Sequence, residues 1–383
     1  MTVLRLLADD LTGALDTAAE FAGVAFPLHV FWHGALPDRL PASAGIDTGT
    51  REQAMAASCT IVRHLVPELA RTHADGGIAY KKVDSLMRGA TLAELAACYA
   101  AGPWRTCVFA PAFPFQGRVT RGGRQYARSS SDGAWEPAGP NLVEALCRAG
   151  VPSQYGRLAE PMRAGINVFD ADTDADLDAI VLHAIQSGEV GAGPVLWCGT
   201  GSLARAVAQA FGDGRDATAS AILPQPILGL FGSDQAVAAA QLAACDPHWI
   251  RLTDADTAGV AGVSARLQDT GIALVSLNLP HGLPRDTAAE RIATTLHRVC
   301  ATLPSPPGTL LVAGGETLRG LCLALGATSL ELVGRIHPGL PRSILRGGPW
   351  DGVTVVSKSG AFGPPDLWRG LLAQNGFFVE RTL

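Results

Sequence analysis

From end to end, short apolar runs alternate with longer stretches in which apolar residues recur every three or four positions. The first pattern predicts buried strands and the second amphipathic helices. Strands are expected at 3–8, 27–32, 78–83, 106–110, 166–169 and 194–198, then at 227–231, 249–252, 272–277, 309–313 and 353–356. Helices are expected at 51–70, 91–101, 141–149, 174–187, 201–211, 235–245, 258–269, 286–302 and 316–325. Such alternation predicts an α/β fold of two domains, each a largely parallel sheet flanked by helices, with the active site in the cleft between them. The pattern pauses at Leu223-Pro224-Gln225-Pro226, after a small polar stretch from Gly212 to Ser220, which divides the chain into 1–222 and 227–383. Residues 117–140 are rich in Gly, Arg and Ser and lack periodicity, so a long loop is expected there.

Composition narrows the classes. At 383 residues the chain is longer than one core usually grows. With 48% hydrophobic and 17% charged residues it is globular, and it can fill two cores. Thirty Lys+Arg against 35 Asp+Glu give a net charge of -5, interspersed and without a basic stripe, so nucleic acid is not an expected partner. The eight cysteines form no CxxC pair and have no histidine at metal-ligand spacing, as in reduced thiols. No apolar segment approaches membrane-spanning length and no signal peptide is evident, so a cytoplasmic protein that does not engage membranes is expected.

Chemistry gathers where strands end. In LLADDLTGALD an apolar strand, Val3 to Ala8, runs into Asp9 and Asp10, and a helix follows from Thr12 to Phe21. One aspartate capping the helix and one in water would be the simpler reading. Carboxylates at a strand's carboxyl end also lie where ligands bind in open α/β sheets. The same placement recurs at Tyr80-Lys81-Lys82-Val83-Asp84-Ser85-Leu86-Met87-Arg88-Gly89, where Arg88 suits bidentate carboxylate recognition, Lys82 offers a point charge, and Asp84 and Ser85 can bond hydroxyls. Ile46-Asp47-Thr48-Gly49-Thr50-Arg51 is a further polar exit. Phe109 to Thr120 carries Arg118 to the same edge through Pro111, Pro114 and Gly117. Together these exits describe a pocket with carboxylates and guanidinium groups, suited to a small polyol that also bears an acid group. Asp-x-Asp, Gly-Lys and His-Arg-Asp motifs are absent from the first strand exit, the whole chain and the whole chain respectively. Haloacid-dehalogenase-type phosphatases, Walker A loops and protein-kinase catalytic loops are thereby disfavoured.

Two glycine patterns remain. Gly199-Thr200-Gly201-Ser202-Leu203-Ala204 fits GxGxxA, but it stands alone, late in its domain, and reads better as a tight strand-to-helix turn than as a dinucleotide site. In the second half, Leu230-Phe231-Gly232-Ser233, Val312-Ala313-Gly314-Gly315-Glu316-Thr317 and Ser357-Lys358-Ser359-Gly360 are glycine-rich strand exits. Backbone N–H groups at such turns can approach phosphate oxygens, and three on one sheet point to a nucleotide.

The ordered set ADDLTGALDTAAEFA, DTGTRE, KKVDSLMRG, APAFPFQGRVTRGG, GTGSLARA, FGSDQ, AGGETLRG and VSKSGAFG resembles the four-carbon acid sugar kinase family over nearly the whole chain. The resemblance implies an N-terminal domain that binds the sugar acid, a C-terminal domain that binds ATP, and phosphorylation of the terminal hydroxyl of threonate, erythronate or 3-oxo-tetronate. It places Ser233, Gly314, Gly315, Glu316, Thr317 and Gly360 on nucleotide-binding motifs, with Lys358 beside them, and Asp9, Asp10, Thr12, Asp16, Arg51, Lys82, Asp84, Ser85 and Arg88 on the sugar-acid side. Two departures bear on the substrate: Met87 stands where threonine or leucine is common, and the shorter Ser131–Pro137 replaces the family's Asp-Pro segment. The expected mechanism has Arg88, helped by Arg51 or Lys82, clamping the carboxylate while Asp10 or Asp84 accepts the hydroxyl proton. Mg²⁺ is expected with ATP on chemical grounds, with no ligand assigned from sequence. A homodimer is the expected assembly. The competing readings are a sensor that keeps both pockets without turnover and an NAD-dependent sugar-acid oxidoreductase.

Overall fold

The computed structural model describes residues 2–72, 76–128, 133–188, 190, 193–212, 217–232, 235–253, 256–280 and 282–378. The chain divides into two compact units, Met1–Ala217 and Thr218–Leu383.

The first unit holds β1 (Leu4–Ala8), β2 (His29–Trp32), β3 (Ala44–Asp47), β4 (Ile78–Lys82), β5 (Thr106–Ala110), β6 (Arg118–Arg121), β7 (Arg124–Ala127), β8 (Glu136–Asn141), β9 (Ser153–Tyr155), β10 (Gly165–Val168) and β11 (Val195–Gly199). Its main sheet runs β2-β3-β1-β4-β11-β5-β10-β9, and every pair is parallel. Strands buried on both faces read as continuous apolar runs, which is why β1, β5 and β11 were legible. Helices Met55–Ala70 and Thr91–Ala101 cover one face, where Leu7, Val62, Leu65, Leu95 and Phe109 share a core. After β1 the chain turns toward β2 and β3; after β4 it turns toward β5. The crevice beyond β1 and β4 is therefore the sheet's topological switch point, the expected ligand position.

The segment 117–140 departs from the expected loop. Its described residues form an antiparallel sheet, β6-β7-β8. The strands are short and carry Arg, Gly and Pro rather than an alternating apolar face, so they left no period-two signal. The strand β3 was also missed: Ala44-Gly45-Ile46-Asp47 is too short and small to register, and the helix expected from 51 starts only at Met55. The Ser131–Pro137 departure lies partly outside the described residues.

The second unit holds β12 (Ile227–Phe231), β13 (Trp249–Leu252), β14 (Ile272–Leu277), β15 (Thr309–Ala313), β16 (Ser329–His337), β17 (Leu340–Arg346) and β18 (Thr354–Lys358), ordered β13-β14-β12-β15-β18-β17-β16. The first five are parallel, and β17 runs antiparallel to both β18 and β16. This β16–β17 hairpin was not expected from the sequence, nor was the helix Leu367–Gln374. The switch point falls between β12 and β15. Gly232 and Gly314 follow these two strands, and Lys358 ends the neighbouring β18. Phe231, Leu274, Leu311, Val356 and Trp368 are among the core beneath them.

Candidate active site

At the first switch point, Asp10 answers the question raised by the paired acids. It is the N-cap of helix Leu11–Glu20: its Oδ1 accepts from the Gly13 amide at 3.2 Å and its Oδ2 from the Thr12 hydroxyl at 2.7 Å. Asp9 is not in water either. It is 3% exposed, and Arg51 grips it through Nε and through Nη2, the latter at 2.7 Å from Oδ1. The same Nη2 donates to Asp10 Oδ1 at 2.9 Å, and Nη1 lies 3.0 Å from Asp84 Oδ2. One guanidinium thus ties together carboxylates from the exits of β1 and β4.

Asp84 is almost saturated with donors. The amides of Leu86 and Arg88 bond its Oδ1 at 3.0 and 3.1 Å, and Arg88 donates Nη2 to Oδ2 at 2.7 Å and Nε at 3.1 and 3.2 Å. Burial would push its carboxyl up, but the Arg88 hydrogen bonds and the charges of Arg51, Arg88 and Lys82 outweigh it and hold it well below the usual carboxylate range. Burial likewise opposes ionisation of Asp9, and the Arg51 charge and hydrogen bonds, with Lys82 and Lys81 behind them, carry it the other way. Arg51 is held above its ordinary value, since Asp10, Asp9 and Asp84 overcome its desolvation. Arg88 is raised too, first by its hydrogen bonds to Asp84 and against its partial burial.

The two lysines of β4 divide as strand alternation requires. Lys81 turns into the helical layer, where Nζ pairs with the buried Glu94 at 2.9 Å. Lys82 is buried on the other face, donates to the Val83 carbonyl at 2.5 Å, and would lie 3.4 Å from a Cβ on Gly13. Ser85 is placed through its backbone: its carbonyl accepts from Gln125 Nε2 at 3.0 Å. Gln125, fully buried on β7, also donates to the Pro111 carbonyl at 3.0 Å and accepts from the Thr120 hydroxyl at 2.7 Å. Sequence reasoning missed this residue because the segment carrying it looked like a loop; the Gly122-Gly123 turn between the short runs of QGRVTRGGRQYA was the available signal. Arg118 donates Nη1 to the Gln116 carbonyl and lies close enough for Asp84 and Arg88 to act on its charge, while burial pulls it down.

Backbone strain concentrates at the same exit. Met87 has φ 57, the only positive φ of a non-glycine among the described residues. At Gly89, with φ 66, a Cβ would meet the Arg51 carbonyl at 2.6 Å, so the loop closes against Arg51 only without a side chain there.

Asp16, on the same helix as Thr12, faces the GxGxxA turn. Its Oδ2 would be 3.1 Å from a Cβ on Gly201, at the start of helix Gly201–Phe211. An acid already faces the helix N-terminus of the GxGxxA turn, where a dinucleotide enzyme would seat pyrophosphate. The Thr200 hydroxyl donates to the Ala112 carbonyl at 2.6 Å, and the Tyr80 hydroxyl to the Thr200 carbonyl at 2.6 Å. That turn is a packing device.

In the second unit the chemistry is mostly backbone. Gly314, φ 106, precedes helix Gly315–Ala324, whose N-terminus has no side-chain cap, and Leu318 alone returns a bond to the Gly314 carbonyl, at 3.1 Å. The first-turn amides of Gly315, Glu316 and Thr317 point outward from that end. Glu316 is exposed and Thr317 half-buried, and a Cβ on Gly232 would overlap the Thr317 hydroxyl. Lys358 is 1% exposed and has no carboxylate partner among the described residues; Nζ donates to the carbonyls of Ser359 and Gly360 at 2.9 and 3.2 Å. Burial lowers it to about 8. Gln241, from helix Ala236–Ala243, fixes this loop by donating to the Phe362 and Pro364 carbonyls at 3.0 and 2.8 Å. Uncapped amides, a positive-φ glycine and a buried lysine fit the phosphates of a nucleotide. Ser233 lies outside the described residues. Among the described residues no group of three or more His, Cys, Asp or Glu is placed to hold a metal ion, and no helix is long and apolar enough to cross a membrane.

The comparisons with known proteins agree with this division. Residues 4–141 match a family described as "Sugar-binding N-terminal domain" and residues 230–367 one described as "Nucleotide-binding C-terminal domain". The chain is 30% identical over 399 residues to a D-threonate kinase of Bordetella bronchiseptica, covering 95% of each chain. It is 30% identical over 416 residues to a D-threonate kinase of Cupriavidus necator, covering 94% of each. A solved structure from Salmonella typhimurium LT2, described as a putative tRNA synthase, aligns with a TM-score of 0.71 at 19% identity over 98% of this chain and 99% of that one; this likeness shows the fold. Fold, site and relatives together define a carbohydrate-acid kinase. The chain belongs to the four-carbon acid sugar kinase family.

Proposed function

We propose that this enzyme transfers the γ-phosphoryl group of ATP to the terminal hydroxyl of a four-carbon sugar acid, with threonate the first candidate among threonate, erythronate and 3-oxo-tetronate. The observation that carries the reading is the knot of Asp9, Asp10 and Asp84 around Arg51 at the switch point of the first sheet. The names of the two relatives favour threonate.

The first unit holds the acid. Arg51 is committed to three carboxylates and therefore orders the site rather than clamping substrate. Among the described residues, Arg88 bonds Asp84 through Nε and Nη2, and 59% of its side chain is exposed, which leaves Nη1 for the substrate carboxylate. Lys82 supplies a second cation nearby. Asp84 has nearly spent its acceptor capacity and is held ionised, so it is a poor proton acceptor. Asp10, whose side chain is 19% exposed and which bonds one hydroxyl, one amide and one guanidinium NH, is the general base. The second unit holds the nucleotide through the amides after Gly314 and through Lys358. Mg²⁺ would arrive with the ATP phosphates, since no carboxylate cluster among the described residues is placed to hold it, and would neutralise charge on the γ-phosphate.

The test is ADP release with Mg-ATP across stereoisomers of threonate, erythronate and 3-oxo-tetronate. Turnover on one acid is expected, lost in Arg88→Ala through a raised KM for the acid. Asp10→Asn should lower kcat by about 10²–10⁴ with the fold intact. Near-normal turnover in Asp10→Asn would remove it as the base, and silence across the panel with ATP still bound would favour a sensor.

A further inference from the structure

Arg5 is out of keeping with its place. It sits inside β1, paired with Ala44 of β3 and Ala79 of β4, and is 5% exposed. By strand alternation it shares a face with Leu7, which packs against the helix Met55–Ala70. A leucine would fill that position; an arginine keeps its charge there. Yet Nε and Nη1 of Arg5 have no hydrogen-bond partner among the described residues. Buried polar groups are almost always bonded, so two bare guanidinium nitrogens call for a ligand nearby.

Arg5 lines a cavity of about 540 Å³ at the amino end of β1, the opposite end from Asp9 and Asp10. Arg39, from the β2–β3 connection, and Arg71, which follows helix Met55–Ala70, line it too, with Leu40 and Pro41 as an apolar wall. None of the described lining residues is acidic. Glu68 stands beside it, pairing with Arg71 at 3.2 Å, and its charge also acts on Arg5. Among the described residues, three guanidiniums against one carboxylate leave an excess of positive charge. Burial and the neighbouring Arg71 both disfavour charge on Arg5, with Glu68 opposing them; a bound dianion would reverse that balance.

We propose that this cavity is a second ligand site, separate from the catalytic residues, that binds a phosphate-type dianion, either free phosphate or a phosphomonoester. Guanidinium forks match such oxyanions bidentately, and three of them converge from three elements. Occupancy would tie the amino end of β1 to the β2–β3 connection and the end of the helix. It would stabilise the first unit in proportion to ligand concentration.

The test is calorimetric titration of the full chain with inorganic phosphate and, separately, glycerol 3-phosphate. Wild type, Arg39→Ala/Arg71→Ala and Lys358→Met are compared, the last to separate this site from phosphate held in the second unit. The proposal expects binding at least tenfold weaker in the double variant and unchanged in Lys358→Met; the tighter of the two probes identifies the source of the dianion. Equal binding in wild type and the double variant, or none in wild type at 10 mM, would overturn it. Arg5→Met gives a second reading: phosphate should raise the Tm of wild type and leave that of Arg5→Met unmoved, and equal rises would also overturn the proposal.

Discussion

On the proposed reading, the two switch points solve the same problem, holding an anionic substrate, with opposite materials. The first is built from side chains. Asp9, Asp10, Asp84, Arg51 and Arg88 satisfy one another through charge-assisted bonds, so the cluster stands ready before any ligand arrives. The second is built from backbone. Gly232, Gly314 and the uncapped amides of helix Gly315–Ala324 leave space and donors, and the buried Lys358 bonds only carbonyls among the described residues. A polyol acid is recognised by the pattern of its hydroxyls, which needs directed side chains. A polyphosphate is recognised as charge, which amides and a lysine meet. The first site should therefore fail when a charge is removed and the second when a Cβ is added.

The largest effect is expected at the hub of the side-chain site. Arg51→Leu leaves Asp9 buried without its counter-ion, and breaking a buried pair from one side costs about 3–5 kcal/mol. Denaturant midpoints should show that loss at neutral pH, together with loss of turnover. The pH dependence has a definite sign. Asp9 and Asp84 are held below their unfolded values, so their stabilisation is present above about pH 4 and lost as pH falls through the folded values. The gap between Arg51→Leu and wild type should accordingly narrow below about pH 4. A gap that stays constant with pH would mean that Arg51 acts by packing alone.

A smaller effect is expected at Lys358. Lys358→Met should raise the KM for ATP by about 10- to 100-fold, the worth of one charge-assisted bond, and leave the KM for the acid alone. Because burial lowers this lysine to about 8, nucleotide affinity in wild type should weaken as pH rises through that value. Protein stability should move the other way. Between about 8 and the ordinary lysine value the unfolded chain binds the extra proton, so unfolding becomes harder as pH rises. Alkaline loss of ATP affinity accompanied by rising stability would separate titration of Lys358 from denaturation. A flat pH profile would place the phosphates elsewhere.

How much of this was legible in the chain follows from the same contrast. Strands buried on both faces, such as Leu4–Ala8 and Thr309–Ala313, announce themselves as apolar runs, and the polar residues just beyond them mark the sheet edge that carries the chemistry. That much placed Asp9, Asp10, Asp84, Gly314 and Lys358 at strand exits. Partnership was not legible. Nothing in Asp-Thr-Gly-Thr-Arg says that Arg51 reaches three carboxylates, because the distance from residue 51 to residue 9 is set by the β1–β3 register. Gln125 was hidden for a related reason: its strand is polar, and its worth lies in two carbonyls it meets only in the folded chain. Arg5 was read over as part of an apolar run. A single charge in such a run was the signal that a buried cation needed a partner.

The smallest effect tests the backbone half directly. At Gly232 an added Cβ would overlap the Thr317 hydroxyl and lie 2.8 Å from Ile292 Cγ2. The methyl is small and Thr317 is half-buried at a helix N-terminus, so the threonine can rotate aside. Gly232→Ala should therefore cost about 1 kcal/mol of stability, with a KM for ATP raised several-fold and an unchanged KM for the acid. The double variant Gly232→Ala/Thr317→Ala decides what the glycine is for. Space made by removing the threonine side chain relieves the overlap, so the two changes should couple in stability by roughly 0.5–1 kcal/mol, the pair being milder than the sum. If ATP affinity recovers along with stability, Gly232 serves to seat Thr317. If stability recovers and affinity does not, the missing Cβ makes room for the nucleotide itself, as a site made of backbone requires.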